Sequence, residues 1–499
     1  MNRPDAPPAP IAPREIELKL EIDPTDIAEL TKQPLIAEAD GKTNRQVSTY
    51  FDTAGQKLRK SGIALRVREI DHRFVQTVKG GNPDSGGMFD RPEWEKEIDG
   101  PTPTPGSVAG TPVAALIKRD NQAQLTPMFS AVVDRTVWTI HEGASEIEMV
   151  LDRGEIRVDD RHDAIAEVEL ELRRGPAEDM FSLAHRLAAS TPLRLGVLAK
   201  NERGYLLRDG VGGKPVKAIA AAVAPEMTAG AAFRAIASSC IRQFRLNEPL
   251  FVRDHHGGAL HQCRVSMRRL RSAFSMFGGI AADDRREALV EGVRWISGDL
   301  GEARDLDVFI NKQMQKGAVS DALRIEALAQ RLEAFERAIA ALNSHRFRTL
   351  MLDLAEWLAL GKWQRPDNPA RELRDQPVEG FAEAALDRFW RKVRKGGRNL
   401  AEIDDEARHT VRIAAKKLRY GSEFFAPLYH GEKSKRRDTF IGALEHLQEH
   451  LGDLNDMVTA RALADRFPGV KIQEVDRSAL LEAAEKAHDR LVEVGPFWR

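Results

Sequence analysis

Cysteine is scarce in this chain: among 499 residues only Cys240 and Cys263 occur. Two thiols can build neither a disulfide framework nor a thiolate metal site, so we expect a reducing, cytoplasmic location. Long apolar runs are also missing, since no stretch approaches the roughly 18 residues of a membrane span. The first eight residues, MNRPDAPP, contain no apolar segment of the kind found in export signals. We therefore expect no association with a membrane.

The chain also has almost no net charge, with a formal value of −1. That balance hides an asymmetry, because residues 1–210 carry −7 and residues 211–499 carry +6. The length corresponds to two to four domains at roughly 150 residues each. Two halves of opposite sign predict two domains with different electrostatic tasks. We expect a multidomain α+β protein.

Alternation of polar and apolar residues dominates the first part of the chain and predicts strands. We expect a disordered Pro-rich tail at 1–13 and a β-rich sheet or barrel over 14–208. Two helices are expected within it, at 23–31 and 177–190. The predicted strands are 15–22, 63–69, 73–79, 93–98, 136–141, 146–152, 155–158 and 165–172.

After a Gly-, Ala- and Pro-rich linker at 209–229, the period changes to that of helices, which predicts an all-α domain over 230–499. Breaks are expected at 278–279, 366–377 and 468–469, where glycine or proline occurs. The helices predicted from this pattern are 287–300, 320–344, 346–360, 379–399, 406–425, 435–451 and 477–494.

The α domain contains an internal repeat. Residues 261–271 (HQCRVSMRRLR) and 409–419 (HTVRIAAKKLR) share the pattern H-x-x-R-[VI]-x-x-[RK]-[RK]-L-R at an offset of 148. Residues 300–305 (LGEARD) and 451–456 (LGDLND) match at an offset of 151. Two matches at nearly one offset predict two related helical halves about a pseudo-twofold axis.

Carboxylates alternate along two of the predicted strands, so they share one face of each strand. The carboxylates concerned are Glu15, Glu17 and Glu21 on one strand, and Glu167, Glu169 and Glu171 on the other. Strand-borne cations are predicted at Arg66, Arg68, Lys79, Arg91, Arg135, Lys200 and Arg203. A solvated strand face would also alternate, but acids crowded on one face need compensating cations. A barrel lined by both signs suits a polyphosphate anion with Mg²⁺ or Mn²⁺.

An ordered set of motifs resembles the CYTH, or triphosphate tunnel metalloenzyme, superfamily over residues 14–208. Its E-x-E-x-K signature stands as EIELK at 15–19. The further matches are YFDT (50–53), LR (58–59), GIALRVR (62–68), TVK (77–79), RPEWE (91–95), EIE (146–148), LDRG (151–154), EVE (167–169), Lys200 and RGY (203–205). The resemblance implies an eight-stranded antiparallel tunnel that takes in a linear triphosphate. Ala199 departs from the family, which usually has Ser before the late Lys.

The resemblance also implies roles for individual residues. Catalysis is assigned to Lys19, Glu17 and Glu169. Binding of phosphate oxygens is assigned to Lys19, Arg59, Arg66, Arg68, Lys79, Arg91, Arg135, Lys200 and Arg203. Metal ligation is assigned to Glu15, Glu17, Glu167, Glu169 and Asp152, with Glu148 as a weaker candidate and Glu171 left open. The group that accepts the proton of the attacking water is left open too.

Each copy of the repeat places a His and three cations within an arc of about 80° on one helix. The two stripes are His261, Arg264, Arg268 and Arg271, and His409, Arg412, Lys416 and Arg419. Nearby cations should keep the histidines neutral, while a solvated face or metal ligation by histidine are the alternatives. The repeat, with LGEARDLDV at 300–308, resembles the CHAD domain and implies binding of inorganic polyphosphate. Nucleic acid is disfavoured by the 6% aromatic content.

The order CYTH then CHAD resembles that of bacterial inorganic triphosphatases. The leading hypothesis is therefore a Mg²⁺- or Mn²⁺-dependent inorganic triphosphatase, with a helical domain that binds polyphosphate and associates with polyphosphate granules. A non-catalytic polyphosphate-targeting protein is the alternative from another class. Thiamine triphosphatase and adenylyl cyclase are the alternatives within the superfamily. Oligomeric state is not predicted.

Overall fold

The computed structural model describes residues 14–81, 86–117, 125–314, 321–464 and 476–499. The predicted tail at 1–13 and the predicted break at 468–469 lie outside these residues. The chain divides between Lys214 and Pro215 into two compact units. The first unit is built on strands and the second consists of helices.

The first unit is a closed antiparallel barrel of eight strands. Their order is β5-β4-β3-β2-β6-β7-β8-β1, and pairing between β1 and β5 closes the ring, while the short β9 pairs with β1. The strands are β1 (Arg14–Glu21), β2 (Lys42–Thr53), β3 (Ile63–Ile70), β4 (Arg73–Gly80), β5 (Met88–Ile98), β6 (Leu125–Glu142), β7 (Ser145–Val158), β8 (Arg161–Arg174) and β9 (Arg194–Leu195).

Two details of the strand prediction are wrong. The strands predicted at 146–152 and 155–158 are one strand, β7, because Gly154 does not end it. A Cβ at Gly154 would lie 2.0 Å from the carbonyl oxygen of Val132 on β6, so glycine permits close approach of two strands. The prediction also missed β2, whose first half, KTNRQ, shows no alternation.

Apolar side chains of the barrel point outward and are covered by helices, which leaves the interior to polar groups. One buried cluster joins Phe129, Val133 and Ile156 to Tyr205 of α6, and another packs Leu65 and other strand residues against the α3 and α4 helices. The helix predicted at 177–190 is confirmed as α5. The helices of this unit are α1 (Ile27–Thr31), α2 (Pro34–Ala37), α3 (Lys57–Lys60), α4 (Pro112–Leu116), α5 (Ala177–Ser190) and α6 (Lys200–Asp209).

The second unit contains two sets of four long helices that follow each other in the same order. Within the described residues no helix is both long and apolar enough to cross a membrane. The helix predicted at 435–451 is longer, and a short helix, α12, lies in the break predicted at 366–377. The helices are α7 (Ala229–Asp254), α8 (Gly257–Met276), α9 (Arg286–Met314), α10 (Asp321–Asn343), α11 (His345–Leu360), α12 (Arg371–Asp375), α13 (Val378–Gly396), α14 (Asp405–Phe424), α15 (Glu432–Ala464) and α16 (Arg477–Val494).

Contacts between α8 and α14 show the pseudo-twofold relation between the two sets. Arg269 of α8 forms an ion pair with Glu423 of α14. Its counterpart 148 positions later, Lys417, donates at 2.9 Å to Oγ of Ser275, which is the counterpart of Glu423. Equivalent positions therefore meet across the axis, as in an isologous interface.

Candidate active site

The strand register places acids and bases beside each other inside the barrel. Glu15, Glu17 and Lys19 lie on one face of β1, because strand side chains alternate. Opposite Glu15 on β5 is Arg91, and opposite Lys19 on β8 is Glu169. Directly opposed residues share a face of the sheet, so cations of one strand compensate acids of the next.

These side chains line a cavity of about 830 Å³, counted out to its open mouth. Most residues that line it are charged, and Thr77 and Asn201 are polar. The other four described lining residues are Tyr50, Ala64, Val150 and Ala199. The predicted site residues among those that line it are Glu15, Glu17, Lys19, Arg66, Arg68, Lys79, Arg91, Arg135, Glu148, Glu169, Glu171 and Lys200.

One group of ion pairs is centred on Glu15. Nζ of Lys79 lies 2.6 and 2.7 Å from its two carboxylate oxygens and 3.1 Å from Oε1 of Glu93. Arg91 reaches Oε2 of Glu15 at 3.2 Å through Nε and Oε2 of Glu17 at 3.1 Å through Nη2. Burial alone would raise the pKa of Glu15, but Lys79 and Arg91 lower it. The carboxylate is therefore ionised and fully paired.

A second group surrounds two buried lysines. Nζ of Lys200 lies 2.6 Å from Oδ2 of Asp152 and 2.8 Å from Oε1 of Glu169, and it also contacts Glu167. Lys19 contacts Glu169 and lies 3.2 Å from Oε1 of Glu167. Although burial opposes ionisation, Lys19 and Lys200 hold the pKa of Glu169 well below its usual value. The same carboxylates hold the pKa of Lys19 well above its usual value against the effect of burial.

Arg135 completes this second group with a bidentate contact. Its Nε and Nη2 donate to the two oxygens of Asp152 at 2.7 and 2.6 Å, and Nη2 also donates to Oε2 of Glu169 at 2.9 Å. Burial raises the pKa of Asp152, but Lys200 and Arg135 outweigh it and lower that pKa to about 2. A forked guanidinium fixes the orientation of a carboxylate as well as its charge.

Arg66 and Arg68 differ from every other predicted cation in the cavity. Over the parts of the chain that the structure describes, neither guanidinium has a carboxylate within 4.0 Å, and both Nε atoms are buried without a hydrogen-bond partner. Burial, together with the neighbouring charges of Arg66 and Arg135, lowers the pKa of Arg68 to about 9. Burial lowers the pKa of Arg66, but Tyr50, Glu93 and Glu95 together raise it above its usual value. Within the described part of the chain both groups are therefore half-buried cations without a close ion pair, and Arg68 is the less compensated of the two.

Lys200 and Arg203 are not on a strand, so that part of the prediction is wrong. Both lie on α6, where Lys200 is the first helical residue and points into the cavity. Arg203 pairs instead with Asp163 of β8 through Nη2 at 2.7 Å and lies outside the cavity lining. With Ala at 199, the first turn of α6 is capped by Glu202, whose Oε2 accepts from the Ala199 N–H at 2.9 Å.

Arg59, which the resemblance assigns to phosphate, also lies outside the cavity lining. Its Nη1 lies 2.7 Å from Oδ2 of Asp209, and its guanidinium stacks 4.5 Å above the ring of Tyr205. The hydroxyl of Tyr205 donates to Oδ2 of Asp52 at 2.7 Å. These contacts fix α6, and hence Lys200, against the wall of the barrel.

The carboxylates fit a hard divalent cation. Oε1 of Glu17 is buried without a hydrogen-bond partner, although Nζ of Lys19 lies 3.0 Å away. Clusters of carboxylate oxygens without nitrogen or sulfur donors match the ligands that Mg²⁺ and Mn²⁺ prefer. Two groups have oxygens within 4.8 Å of one another: Asp152, Glu167 and Glu169, and Glu15, Glu93 and Glu171.

Sequence reasoning missed four charged or aromatic groups of the lining, Tyr50, Glu93, Glu95 and Arg173. RPEWE at 91–95 held the signal for the two acids, because they alternate with Arg91 on β5 and share its face. Arg173 follows Glu171 by two residues and donates to its Oε1 at 2.5 Å. Burial raises the pKa of Glu171 to about 7 despite that contact.

The predicted basic stripes of the second unit come together between α8 and α14. Burial, together with the proximity of Arg268, Arg412 and Arg264, lowers the pKa of Lys416 to about 7. Burial and the nearby arginines lower the pKa of His261 to about 4, so its ring is neutral as expected. We call this surface the repeat groove, and it comprises His261, Arg264, Arg268, Arg271, His409, Arg412, Lys416 and Arg419.

Only some cations of the repeat groove have acidic partners. Arg264 lies 3.2 Å from Oδ1 of Asp305, and Nη1 of Arg419 lies 2.6 Å from Oε1 of Glu423. The Nε atom of Arg412 is buried and lacks a hydrogen-bond partner. Nδ1 of His409 forms a hydrogen bond with Oδ1 of Asn455 at 3.0 Å. The groove therefore keeps an excess of positive charge.

Comparison with known families agrees with this architecture. Residues 13–205 match the CYTH domain family, and residues 235–465 match the CHAD domain family. In the CYTH region the chain is 31% identical over 199 residues to the inorganic triphosphatase of Haemophilus influenzae. That match covers 39% of this chain and 55% of the relative, so the chain spans about half the length of the curated relative.

Solved structures show likeness to each part of the chain separately. The CHAD domain from the plant Ricinus communis is 29% identical, with a TM-score of 0.44, covering 56% of this chain and 91% of that one. A Hippeastrum protein described as having a dominant triphosphatase activity is 22% identical, with a TM-score of 0.31. That match covers 39% of this chain and 96% of the Hippeastrum chain.

Proposed function

Since the chain carries a CYTH domain at residues 13–205 and a CHAD domain at residues 235–465, we propose that it is a divalent-metal-dependent inorganic triphosphatase whose helical domain binds inorganic polyphosphate. One observation carries the proposal for the barrel. Among the described residues, Arg66 and Arg68 have no carboxylate within 4.0 Å and their Nε atoms have no hydrogen-bond partner, although they line a cavity that also holds clustered carboxylates. A buried charge without a partner is costly, so a cavity of this kind needs an anionic ligand.

Phosphoanhydride hydrolysis suits such a cavity because it depends mainly on positioning and charge neutralisation. Arg66 and Arg68 can donate to phosphate oxygens without breaking an existing ion pair, and a guanidinium can bind two oxygens at once. Lys79 and Arg91 are already paired with carboxylates. Phosphate oxygens must replace those carboxylates as partners before these cations can bind substrate.

The carboxylate groups Asp152, Glu167 and Glu169, and Glu15, Glu93 and Glu171, would hold the metal, with Glu17 beside them. A bound divalent cation supplies charge neutralisation and lowers the pKa of a ligated water. Lys19 and Lys200 contact the first group, so they are placed to stabilise negative charge next to it. The enclosed lining keeps these interactions strong by limiting solvent.

The near absence of apolar lining favours an inorganic triphosphate over a triphosphate carrying an organic group. Only Tyr50, Ala64, Val150 and Ala199 offer the cavity apolar surface. Sites for drug-sized or cofactor-sized organic groups are lined mainly by hydrophobic and aromatic side chains. Tripolyphosphate needs no such surface, because each of its oxygens is an acceptor for the cations on the wall.

For the helical domain, the proposal rests on the excess positive charge of the repeat groove. Lys416 lies among Arg264, Arg268 and Arg412, and like charges at close range disfavour each other unless an anion is present. A linear polyphosphate offers repeated charge and no groups that require base-reading side chains. It therefore matches a groove that extends across both copies of the repeat.

A phosphate-release assay tests the enzymatic part. Tripolyphosphate, ATP, thiamine triphosphate and long-chain polyphosphate would be compared, each with Mg²⁺ or Mn²⁺. We expect tripolyphosphate to be hydrolysed fastest, and Glu169→Gln to reduce its hydrolysis by at least about 100-fold, by analogy with loss of one stabilising group in other active sites.

Glu155→Gln is the matched control, because Glu155 is a carboxylate of β7 that pairs with Arg157 and does not line the cavity. We expect this control to retain full activity. Full activity in Glu169→Gln would contradict the assignment, whereas binding of tripolyphosphate without turnover would favour the non-catalytic alternative.

A further inference from the structure

Three cations gather around one aromatic ring beside the repeat groove. The Cζ atom of Arg388 lies 5.0 Å from the centroid of Phe389, and Nζ of Lys392 and of Lys417 lie 5.8 and 5.9 Å from it. Arg388 and Lys392 are on α13 and are exposed, while Lys417 is on α14 and half-buried. The ring of Phe389 forms the floor beneath them and is 2% exposed.

This cluster has no counter-ion of its own. Among residues whose side chains the structure describes, no carboxylate lies within 4.0 Å of Arg388, Lys392 or Lys417. Lys417 donates only to Oγ of Ser275, at 2.9 Å. Burial and the charges of Lys392, Arg271 and Arg388 together lower the pKa of Lys417, which shows how closely the cations approach one another.

Arg271 connects the cluster with the repeat groove. Burial lowers the pKa of Arg271, and the charges of Arg294 and of Arg268 in the groove lower it further. The charge of Arg271 contributes to the lowered pKa of Lys417. Arg271 is exposed at the end of α8. Positive surface therefore continues from the groove past Arg271 to α13.

The repeat itself does not account for the cluster. At the offset of 148, Arg388 and Lys392 correspond to Cys240 and Phe244, both buried in α7. The counterpart of Lys417 is Arg269, which is neutralised by Glu423, whereas Lys417 meets only the hydroxyl of Ser275. The second copy therefore carries these cations without the balancing acid, although Nη2 of Arg388 also donates to the carbonyl oxygens of Ser275 at 3.2 Å and of Met276 at 2.9 Å at the end of α8.

We propose that Arg271, Arg388, Lys392 and Lys417 form a second polyphosphate-binding surface that extends the repeat groove onto α13. The inference rests on the proposed polyphosphate binding by the helical domain and adds a preference for long chains over short ones. A chain that fills the groove and continues past Arg271 gains these contacts, while a short chain held in the groove does not. Because Phe389 is buried under the cations, bases of a nucleic acid could not stack on it.

Binding of labelled long-chain polyphosphate and of tripolyphosphate to the full-length protein tests the inference. The test variant is Lys392→Gln combined with Lys417→Gln. Each phosphate contact that is lost should lower the slope of log K against log salt by about 0.7 to 1. We expect the double variant to weaken long-chain binding roughly tenfold at low salt and to lower that slope by about 1.4 to 2 in total.

Arg394→Gln is the matched control. Arg394 is exposed on the same helix, but about 140° around it from the midpoint of Arg388 and Lys392, so its loss removes charge without touching the cluster. Circular dichroism and thermal unfolding would verify that all variants fold. We expect the control to bind long-chain polyphosphate like the unaltered protein.

The outcomes separate this inference from the function on which it rests. The second surface would be overturned if the variant Lys392→Gln combined with Lys417→Gln bound long chains normally while Arg264→Gln combined with Lys416→Gln lost binding. The assignment of polyphosphate to the repeat groove would then stand. Absence of any polyphosphate binding by the unaltered protein would overturn both. Equal competition by single-stranded DNA would overturn the assignment to polyphosphate.

Discussion

Replacing Arg68 by methionine should stabilise the barrel and destroy its activity. Arg68 is a half-buried cation of β3 whose pKa is lowered by burial, Arg66 and Arg135 and is only partly restored by Glu95 and Tyr50; no carboxylate of the described structure lies within 4.0 Å of it. Methionine keeps the length and much of the apolar stem of arginine but removes the charge. Removing a residue that supports folding lowers the stability of the protein. Removing a residue that serves only ligand binding can raise that stability.

The expected gain follows from how strongly the site disfavours the charge. The pKa of Arg68 falls from 12.5 to about 9, which at about 1.36 kcal/mol per unit corresponds to an upper bound of about 5 kcal/mol. Water penetration and relaxation reduce this cost, so a gain of about 1–4 kcal/mol is expected, as for other buried charges replaced by apolar groups. Loss of one group that neutralises phosphate charge should lower kcat/KM for tripolyphosphate by about 100- to 1,000-fold.

Thermal unfolding of the full-length protein measures the gain in stability. The relevant transition is the one whose melting temperature rises when tripolyphosphate is added. A gain of 1 kcal/mol corresponds to about 2–4 °C for a domain of this size. Arg45→Met is the control, because Arg45 is exposed on β2, and its effect should stay below about 0.5 kcal/mol with unchanged hydrolysis. A lower melting temperature for Arg68→Met, or undiminished hydrolysis, would show that Arg68 supports the fold and does not bind substrate.

Two further predictions concern titration and positioning. The pKa of Lys416 is lowered to about 7 by burial and then by Arg268 and Arg412, while a bound polyanion favours its charged form, so binding takes up a proton. Polyphosphate affinity should therefore fall as pH rises through 7, and Lys416→Arg should flatten this dependence, as equilibrium binding from pH 6 to 9 would reveal. Tyr205→Phe removes the 2.7 Å hydrogen bond to Asp52 that fixes α6, at a cost of about 1–3 kcal/mol. It should lower kcat for tripolyphosphate more than it raises KM. A loss of stability without a change in kcat would show that Tyr205 has only a structural role.

The sequence was informative wherever one physical period governed a segment. Alternation along EIELK places Glu15, Glu17 and Lys19 on one face, and the structure has them in one cavity. The same rule places Glu169 on an acidic face of another strand, and in the structure Lys19 lies directly opposite it. Helical spacing likewise predicts a basic stripe on each of two helices, and the two stripes come together between α8 and α14.

Prediction failed where a residue acts through a distant contact. Arg203 is predicted among the strand-borne cations, but it lies on α6 and pairs with Asp163, while Tyr205 of the same helix donates to Asp52. No local period distinguishes such a residue from a ligand-binding one, because its partner is more than 30 residues away. The break predicted between residues 152 and 155 is wrong for the same reason, since the closeness of Gly154 to Val132 of β6 depends on the closed barrel.

The division of cations into paired and unpaired groups separates catalysis from simple anion binding. A tunnel that only bound polyphosphate would need cations like Arg66 and Arg68 and would gain nothing from buried acids. Here Glu15 and Glu169 neutralise the cations that a phosphate chain would otherwise contact. Phosphate oxygens can replace these carboxylates only if the carboxylates obtain another positive partner, because an unpaired buried acid is costly. We therefore expect these ion pairs to make full binding of the proposed triphosphate substrate depend on a divalent cation, which the proposed hydrolysis requires and storage of an anion does not.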